Sequence, residues 1–278
     1  MAIVATGSLV QWPLRRIGLN IALAQADPMG ALLTALIVAV VALATLAIFV
    51  RTTEGEWPTM LSARGALHET ALGMGLAVLL SALCMSLIWA LGGVSVVSVA
   101  APATWAAILL AALPAAIGSS FVEETLARGV FLRQLAWASS PGIALVISAL
   151  LFGLAHLANP GATIAVAVGL AVQAGLLLGC AYLLTGRLWA AIGLHFAWNF
   201  MQAGVIGGKL SGNAVSAIIT AKPQGADWLS GGAFGIEGSL LTTLICGTAA
   251  LAIMVIGRRS ARARYATPVQ SAPSSKQL

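Results

Sequence analysis

Charged residues are scarce in this sequence of 278 residues. Lysine, arginine, aspartate and glutamate make up 8% of it, whereas an average soluble domain carries about 25% charge. Hydrophobic residues make up 60%, and the mean hydropathy is +0.99. Such a composition excludes a soluble enzyme, a disordered chain and a nucleic-acid-binding protein with a basic face. It is typical of a polytopic helical membrane protein.

Cysteine is rarer still, and its three copies are far apart within apolar segments: Cys84, Cys180 and Cys246. The sequence has no CxxC and no Cys/His spacing, so it predicts neither a disulfide framework nor a zinc finger. We expect the three thiols to be small packing residues.

Seven apolar segments follow one another, at about 30–50, 67–91, 101–136, 142–158, 162–185, 188–207 and 237–257. The third is too long for one straight span, because at 1.5 Å per residue it would reach about 50 Å. Pro114 and Gly118 offer a break, so this segment is either one kinked helix or two helices. The predicted fold is an all-α polytopic transmembrane bundle with seven or eight spans.

Basic residues predict the orientation, since cytoplasmic loops are enriched in lysine and arginine. Five of the 14 basic residues lie in the last 21 positions, in a segment rich in Ser, Pro, Ala and Gln. With Arg128 set aside as intramembrane, nine basic residues fall on one side and four on the other for either span count. The C-terminal tail, Arg133 and Arg187 are therefore predicted to be cytoplasmic, and the side of the N-terminus stays open.

A few strongly polar residues lie deep inside apolar segments, and they are the candidate functional residues: Glu123, Glu124, Arg128, His156, His195 and Asn199. A charge at the bilayer centre costs about 2.5 kcal/mol or more, so such residues persist when they are paired or functional. An internal polar network that only holds the bundle together is the alternative. Counted along the helices, all three clusters fall at similar depth, which permits one shared cavity.

The spacing on the first helix separates the two acids. Glu124 and Arg128 are four residues apart and can pair, which leaves Glu123, about 100° around the helix, as a candidate general base. On the other helices, Phe152 is placed to brace the imidazole of His156 at the same spacing. The pair formed by His195 and Asn199, also four apart, suits the stabilisation of an oxyanion.

These motifs resemble those of the CPBP family of intramembrane proteases, also called the Abi family, which includes CAAX-prenyl proteases and bacteriocin-processing proteins. The chain has EExxxR at 123–128, FxxxH at 152–156 and HxxxN at 195–199, in that order. The resemblance covers about residues 103–206. One departure is Ala127, because family members often carry a large aromatic residue before the arginine.

The resemblance implies peptide-bond hydrolysis inside the membrane, in a membrane-associated or prenylated protein or peptide. The protein's partners would be membrane lipid and a membrane-embedded substrate, with no nucleic acid. It would lie in the plasma membrane of a bacterium. By analogy Glu123 and His156 would activate a water, while His195 and Asn199 would hold the oxyanion. The supporting residues would be Glu124, Arg128 and Phe152.

No cofactor is required by this interpretation, but zinc is an alternative. The family is often labelled metalloprotease, and Glu123, His156 and His195 offer a His₂Glu set with an open position. Against zinc, the chain lacks HExxH, and Asn199 is a poor zinc ligand.

Two other functions compete with proteolysis. One is a non-catalytic immunity, scaffold or regulatory membrane protein of the same fold, for which Ala127 is the only hint. The other is a proton-coupled transporter, which intramembrane acids and histidines also serve. No repeat with paired broken helices is visible, and this counts against a transporter.

The predicted organisation has six parts: an N-terminal lead-in at 1–28, N-terminal transmembrane helices at 29–102, a CPBP-like catalytic core at 103–206, an extracytoplasmic loop at 207–236, a last transmembrane helix at 237–257 and a basic disordered cytoplasmic tail at 258–278.

Overall fold

The computed structural model describes residues 27–266, with side chains up to residue 257. Nearly all of the predicted lead-in and the last part of the predicted tail, 267–278, lie outside the described residues. The helices are α1 Pro28–Glu54, α2 Ala66–Ala90, α3 Trp105–Glu124, α4 Arg133–Ala138, α5 Pro141–Ala155, α6 Ile164–Leu170, α7 Leu177–Thr185, α8 Trp189–Phe200, α9 Asp227–Ser230 and α10 Leu240–Ala266.

Local sequence explains where several helices begin and end. Asp27 caps α1 by accepting a hydrogen bond from the Gly30 backbone, and proline occupies the first turn. Ser140 caps α5 in the same way. The C-terminal helix runs on to Ala266, so residues 258–266 are helical rather than disordered as predicted. The physical reason is composition, since alanine and arginine are both strong helix formers.

The long third apolar segment is one continuous helical run, Pro102–Ala138. Pro114 lies inside α3 without ending it, and α3 passes through a π-helical stretch, Thr125–Leu132, directly into α4. Of the two alternatives for this segment, the structure therefore has the single helix.

Six helices of the described part are long and apolar enough to cross a membrane, so the protein is an all-α polytopic bundle. The predicted count of seven or eight spans is not confirmed. The segment predicted at 188–207 forms α8, which has 12 residues, followed by a five-residue π stretch, Met201–Val205, and together they fall short of the other spans.

A small β-structure lies between the helices, where the sequence predicted only connections and a loop. Strand β1 (Val94–Val99) pairs antiparallel with β5 (Ile219–Pro223), which pairs parallel with β2 (Ile206–Gly207). The strands β3 (Lys209–Leu210) and β4 (Asn213–Ala214) form a separate hairpin.

Two ion pairs connect helix ends at one end of the bundle. Arg133 pairs with Glu54 at the end of α1, and Arg187 pairs with Glu69 in the first turn of α2. At the same end of the bundle, Gly257 of α10 lies beside the Leu184 side chain of α7. Arg133, Arg187 and the start of the C-terminal segment therefore share one end, as the charge pattern predicts.

Candidate active site

The two adjacent acids close the last turn of α3, directly before the π-helical stretch. A π stretch inserts one extra residue per turn and is frequent at functional sites. Two further π stretches follow, Ala171–Leu176 between α6 and α7 and Met201–Val205 after α8. Two of the three stretches therefore directly follow candidate residues, Glu124 on α3 and Asn199 near the end of α8.

Glu124 is fully buried and holds two partners through one oxygen. Its Oε1 accepts a hydrogen bond from Arg128 at 2.9 Å, and His195 Nδ1 lies 2.8 Å from the same oxygen. The predicted pairing of Glu124 with Arg128 is therefore present. Through its contact with His195, Glu124 also orients the imidazole on α8.

Arg128 is buried completely, and its surroundings explain how a guanidinium is accommodated there. Besides Glu124, its Nη2 donates to the backbone oxygens of Ala174 and Gly175, both at 3.0 Å. The guanidinium also lies over the ring of Phe152, 4.8 Å from its centroid. Arg128 therefore joins α3, α5 and the π stretch after α6.

Glu123 faces both histidines. Its Oε2 lies 3.9 Å from His156 Nε2 and 3.9 Å from His195 Nε2. These separations are too long for direct hydrogen bonds but suit one water bound to two of the atoms. The Glu123 side chain is 25% exposed, whereas that of Glu124 is inaccessible. The structure therefore brings Glu123, His156 and His195 together.

The orientation of His156 is fixed from behind. Its Nδ1 lies 2.8 Å from the Phe152 carbonyl oxygen, which can only accept, so Nδ1 carries a proton. This leaves Nε2 as the ring nitrogen that faces Glu123. The Phe152 ring packs against the imidazole at a centroid distance of 4.8 Å, as the spacing predicts.

Asn199 lies one turn after His195, and its orientation depends on a serine. Its Nδ2 donates to Ser119 Oγ at 2.7 Å, and Ser119 Oγ donates to the Ala115 carbonyl at 2.7 Å. One of the two Nδ2 hydrogens of Asn199 is used in this way, which leaves the other for a ligand.

Two clefts meet at His156, His195 and Asn199. The first, the polar cleft, has about 380 Å³ of empty space and is also lined by Ser119, Glu123, Asn159, Ser211 and Asn213. The second, the apolar cleft, has about 450 Å³ and is lined mainly by aliphatic and aromatic side chains.

Sequence reasoning missed several residues around these clefts: Ser119, Asn159, Trp198, Ser211, Asn213 and Glu237. Glu237 lies in a 3₁₀ turn, Ile236–Gly238, and is only 5% exposed. As one of eight acidic residues it could have been singled out, but its place at the edge of a Gly-rich loop concealed its burial.

Side-chain geometry also bears on zinc. Among the side chains that the structure describes, at residues 27–257, no three of His, Cys, Asp or Glu are arranged to hold a metal ion. The set of Glu123, His156 and His195 does not meet that arrangement.

Comparison with known families gives one match. Residues 104–201 match the family model for type II CAAX prenyl endopeptidase, Rce1-like. The match confirms the resemblance to the CPBP/CAAX protease family, and it contains all six polar candidate residues. No curated protein and no solved structure matches the chain. The protein is thus an integral membrane protein with a segment similar to the type II CAAX prenyl endopeptidases.

Proposed function

We propose that the protein is an intramembrane endopeptidase that cleaves a membrane-associated or prenylated protein or peptide. The observation that carries the proposal is the position of Glu123, whose Oε2 lies 3.9 Å from Nε2 of both His156 and His195 at an accessible cleft. The family match of residues 104–201 supports the same reaction class.

The contacts suggest how a water is activated. A water between Glu123 and His156 would meet a carboxylate oxygen and an unprotonated Nε2, and both accept hydrogen bonds. Its oxygen attacks the substrate carbonyl carbon while one proton passes to Glu123, which acts as the general base. Glu123 then returns this proton to the leaving nitrogen as the C–N bond breaks, giving a carboxylic acid and an amine, and the acid proton then passes to the amine.

The negative charge on the substrate oxygen would be stabilised from α8. Asn199 offers its second Nδ2 hydrogen, and His195, when protonated at both nitrogens, offers Nε2–H. Glu124 accepts from His195 Nδ1 and so holds the ring in this orientation. The supporting roles of Glu124, Arg128 and Phe152 are to position these groups.

The decisive test compares Glu123→Gln and His156→Ala with wild type. New N-termini in the membrane fraction of cells, identified by mass spectrometry, first provide a substrate. For the purified variants we expect cleavage of that substrate to fall by about 10²-fold or more, since a positioned acid–base group contributes about 10²–10⁴-fold. The matched control is Glu56→Gln, at an exposed glutamate after α1. Wild-type rates in both site variants would refute the proposal.

Metal dependence has its own test. We expect cleavage to survive exhaustive chelation, because the mechanism above needs no metal. Metal analysis of the purified protein accompanies the assay. Loss of activity on chelation, restored by zinc alone, would instead establish the zinc set of Glu123, His156 and His195.

We further propose that the protein lies in the plasma membrane of a bacterium, with its C-terminal tail in the cytoplasm. The end of the bundle that gathers Arg133 and Arg187 supports this orientation under the positive-inside rule. Membrane lipid and the embedded substrate would be its partners.

A further inference from the structure

Glu237 is a buried carboxylate that the proposed mechanism does not use. No cation lies within ion-pair distance of it in the part of the chain that the structure describes. It also lies outside the family match at 104–201. A carboxylate removed from water without a counter-ion requires hydrogen-bond donors around it. The donors of Glu237 therefore show which elements of the structure it connects.

Three donors satisfy Glu237. Its Oε1 accepts from Trp198 Nε1 at 2.9 Å, and its Oε2 accepts from the Ser211 backbone N–H at 2.6 Å and from Ser211 Oγ at 3.0 Å. The indole and backbone N–H groups can only donate, so each carboxylate oxygen is required as an acceptor. The backbone oxygen of Glu237 accepts from Gln173 as well.

These partners belong to the walls of the two clefts. Trp198 directly precedes Asn199 on α8, and Ser211 is the tip of the β3–β4 hairpin, where it lines both clefts. Glu237 therefore connects the hairpin that covers the candidate site with the helix that carries two of its groups.

The hairpin tip needs such an anchor. Ser211 has a φ of +46°, the only non-glycine residue of the described chain with a positive φ, and this conformation costs about 1–3 kcal/mol. Gly212 follows at φ +82°, and a Cβ there would overlap the Pro160 carbonyl oxygen. The tip is thus wedged against the segment that follows His156.

We propose that Glu237 is a positioning residue that latches the 209–214 hairpin over the polar cleft, so that Ser211 and Asn213 form one wall of the substrate-binding site. This inference rests on the proposed protease function. Weakening the latch loosens the wall that holds the substrate but leaves Glu123 and His156 in place, so it raises KM more than it lowers kcat.

Glu237→Gln tests the latch directly. The amide replaces one of two acceptor oxygens by NH₂, so either Trp198 or Ser211 loses its acceptor. We expect KM to rise about tenfold and kcat to change less than about threefold, since a buried donor is left without its partner. Amide hydrogen exchange of residues 209–215 should accelerate in the same variant. Glu56→Gln serves as the exposed control.

A double variant distinguishes loss of the Glu237 hydrogen bonds from a nonspecific loss of packing around the hairpin. In Trp198→Phe no indole needs an acceptor at this position. The amide introduced by Glu237→Gln can then turn its carbonyl to Ser211 and its NH₂ towards the introduced phenyl ring. The double variant should therefore show a KM close to that of Trp198→Phe alone, and slower 209–215 exchange than Glu237→Gln. Purely additive effects would contradict the latch.

The outcomes also distinguish this inference from the proposed function. Unchanged exchange and unchanged KM in Glu237→Gln would overturn the latch even if wild type is a protease. If wild type cleaves nothing, the proposed function fails, and with it the positioning role of Glu237 in catalysis. In that case accelerated exchange would show only that the carboxylate holds the hairpin.

Discussion

Two adjacent glutamates occupy opposite environments. Glu124 is inaccessible and bound to both Arg128 and His195, whereas Glu123 is 25% exposed and faces the polar cleft. Neighbouring residues on a helix point about 100° apart, which is why one acid can pair inside the bundle while the other faces the polar cleft. The difference predicts separable effects on stability and on activity.

Glu124→Ala should lower stability strongly. It leaves the fully buried Arg128 without a counter-ion, and breaking a buried pair costs about 3–5 kcal/mol. Thermal unfolding in detergent checks the loss. Glu123→Gln is the comparison, and its unfolding temperature should stay near that of wild type. Equal losses in the two variants would contradict the division of roles.

Ser119→Ala should impair turnover without preventing binding. It removes the acceptor that fixes Asn199, so the amide becomes free to rotate. If Asn199 is an oxyanion donor as proposed, Asn199→Ala should itself cost about 10²–10³ in kcat. We expect Ser119→Ala to fall between wild type and that value. A kcat equal to that of wild type would show that Ser119 does not position the amide.

For individual residues, the sequence predicted the side-chain contacts between positions one helical turn apart. The contacts of Glu124 with Arg128 and of Phe152 with His156 follow from spacing alone. The contact of Glu124 with His195 joins positions 71 apart, so it depends on how the helices pack. Ser119 gave no signal, because a serine in an apolar helix is ordinary.

Close helix packing depends on particular glycines. A Cβ at Gly175 would lie 2.7 Å from the Ala149 Cα, and one at Gly153 would overlap the Ala167 carbonyl oxygen. The first contact holds α5 against the π stretch whose carbonyls accept from Arg128. Glycine here therefore fixes the distance between two helices of the site.

Gly175→Ala should destabilise the bundle by about 1–3 kcal/mol, because the added methyl group forces α5 away. Gly118→Ala is the matched control, since nothing lies within 4 Å of a Cβ there. In α3 that change should be neutral or stabilising by about 0.5–1 kcal/mol. Unfolding in detergent measures both variants, and equal effects would exclude the packing argument.

Apolar runs predicted the helices well, because length and hydropathy determine them locally. The strands were not predicted. Pairing of Val94 with Pro223 joins segments that are far apart in the chain, and no turn connects them. The π stretches were equally invisible, since a wide turn arises from packing on both sides of a helix.

For the whole molecule, one end of the bundle collects basic residues. Arg133 and Arg187 form ion pairs there with Glu54 and Glu69. Gly257 of α10 lies at the same end, beside α7. The hairpin and the β1–β5–β2 sheet belong to connections at the other ends of these helices. The two faces of the protein are therefore chemically different.

Cysteine labelling tests this orientation. The natural cysteines are all buried, so a membrane-impermeant maleimide should report only an introduced thiol. In intact cells we expect labelling of Ser216→Cys, at an exposed position after the hairpin, but not of Ser274→Cys in the tail. Inverted membrane vesicles should give the reverse pattern. Labelling of both from the same side would refute the orientation.

The ion pair within one helix also bears on biosynthesis. Glu124 and Arg128 enter the bilayer on the same helix, so the arginine brings its counter-ion with it and the cost of inserting both charges falls. His195 follows 71 residues after Glu124. The nascent chain thus lacks the second histidine of the candidate site until α8 is made. Under the proposed function, cleavage of neighbouring proteins therefore cannot begin before translation of this segment is complete.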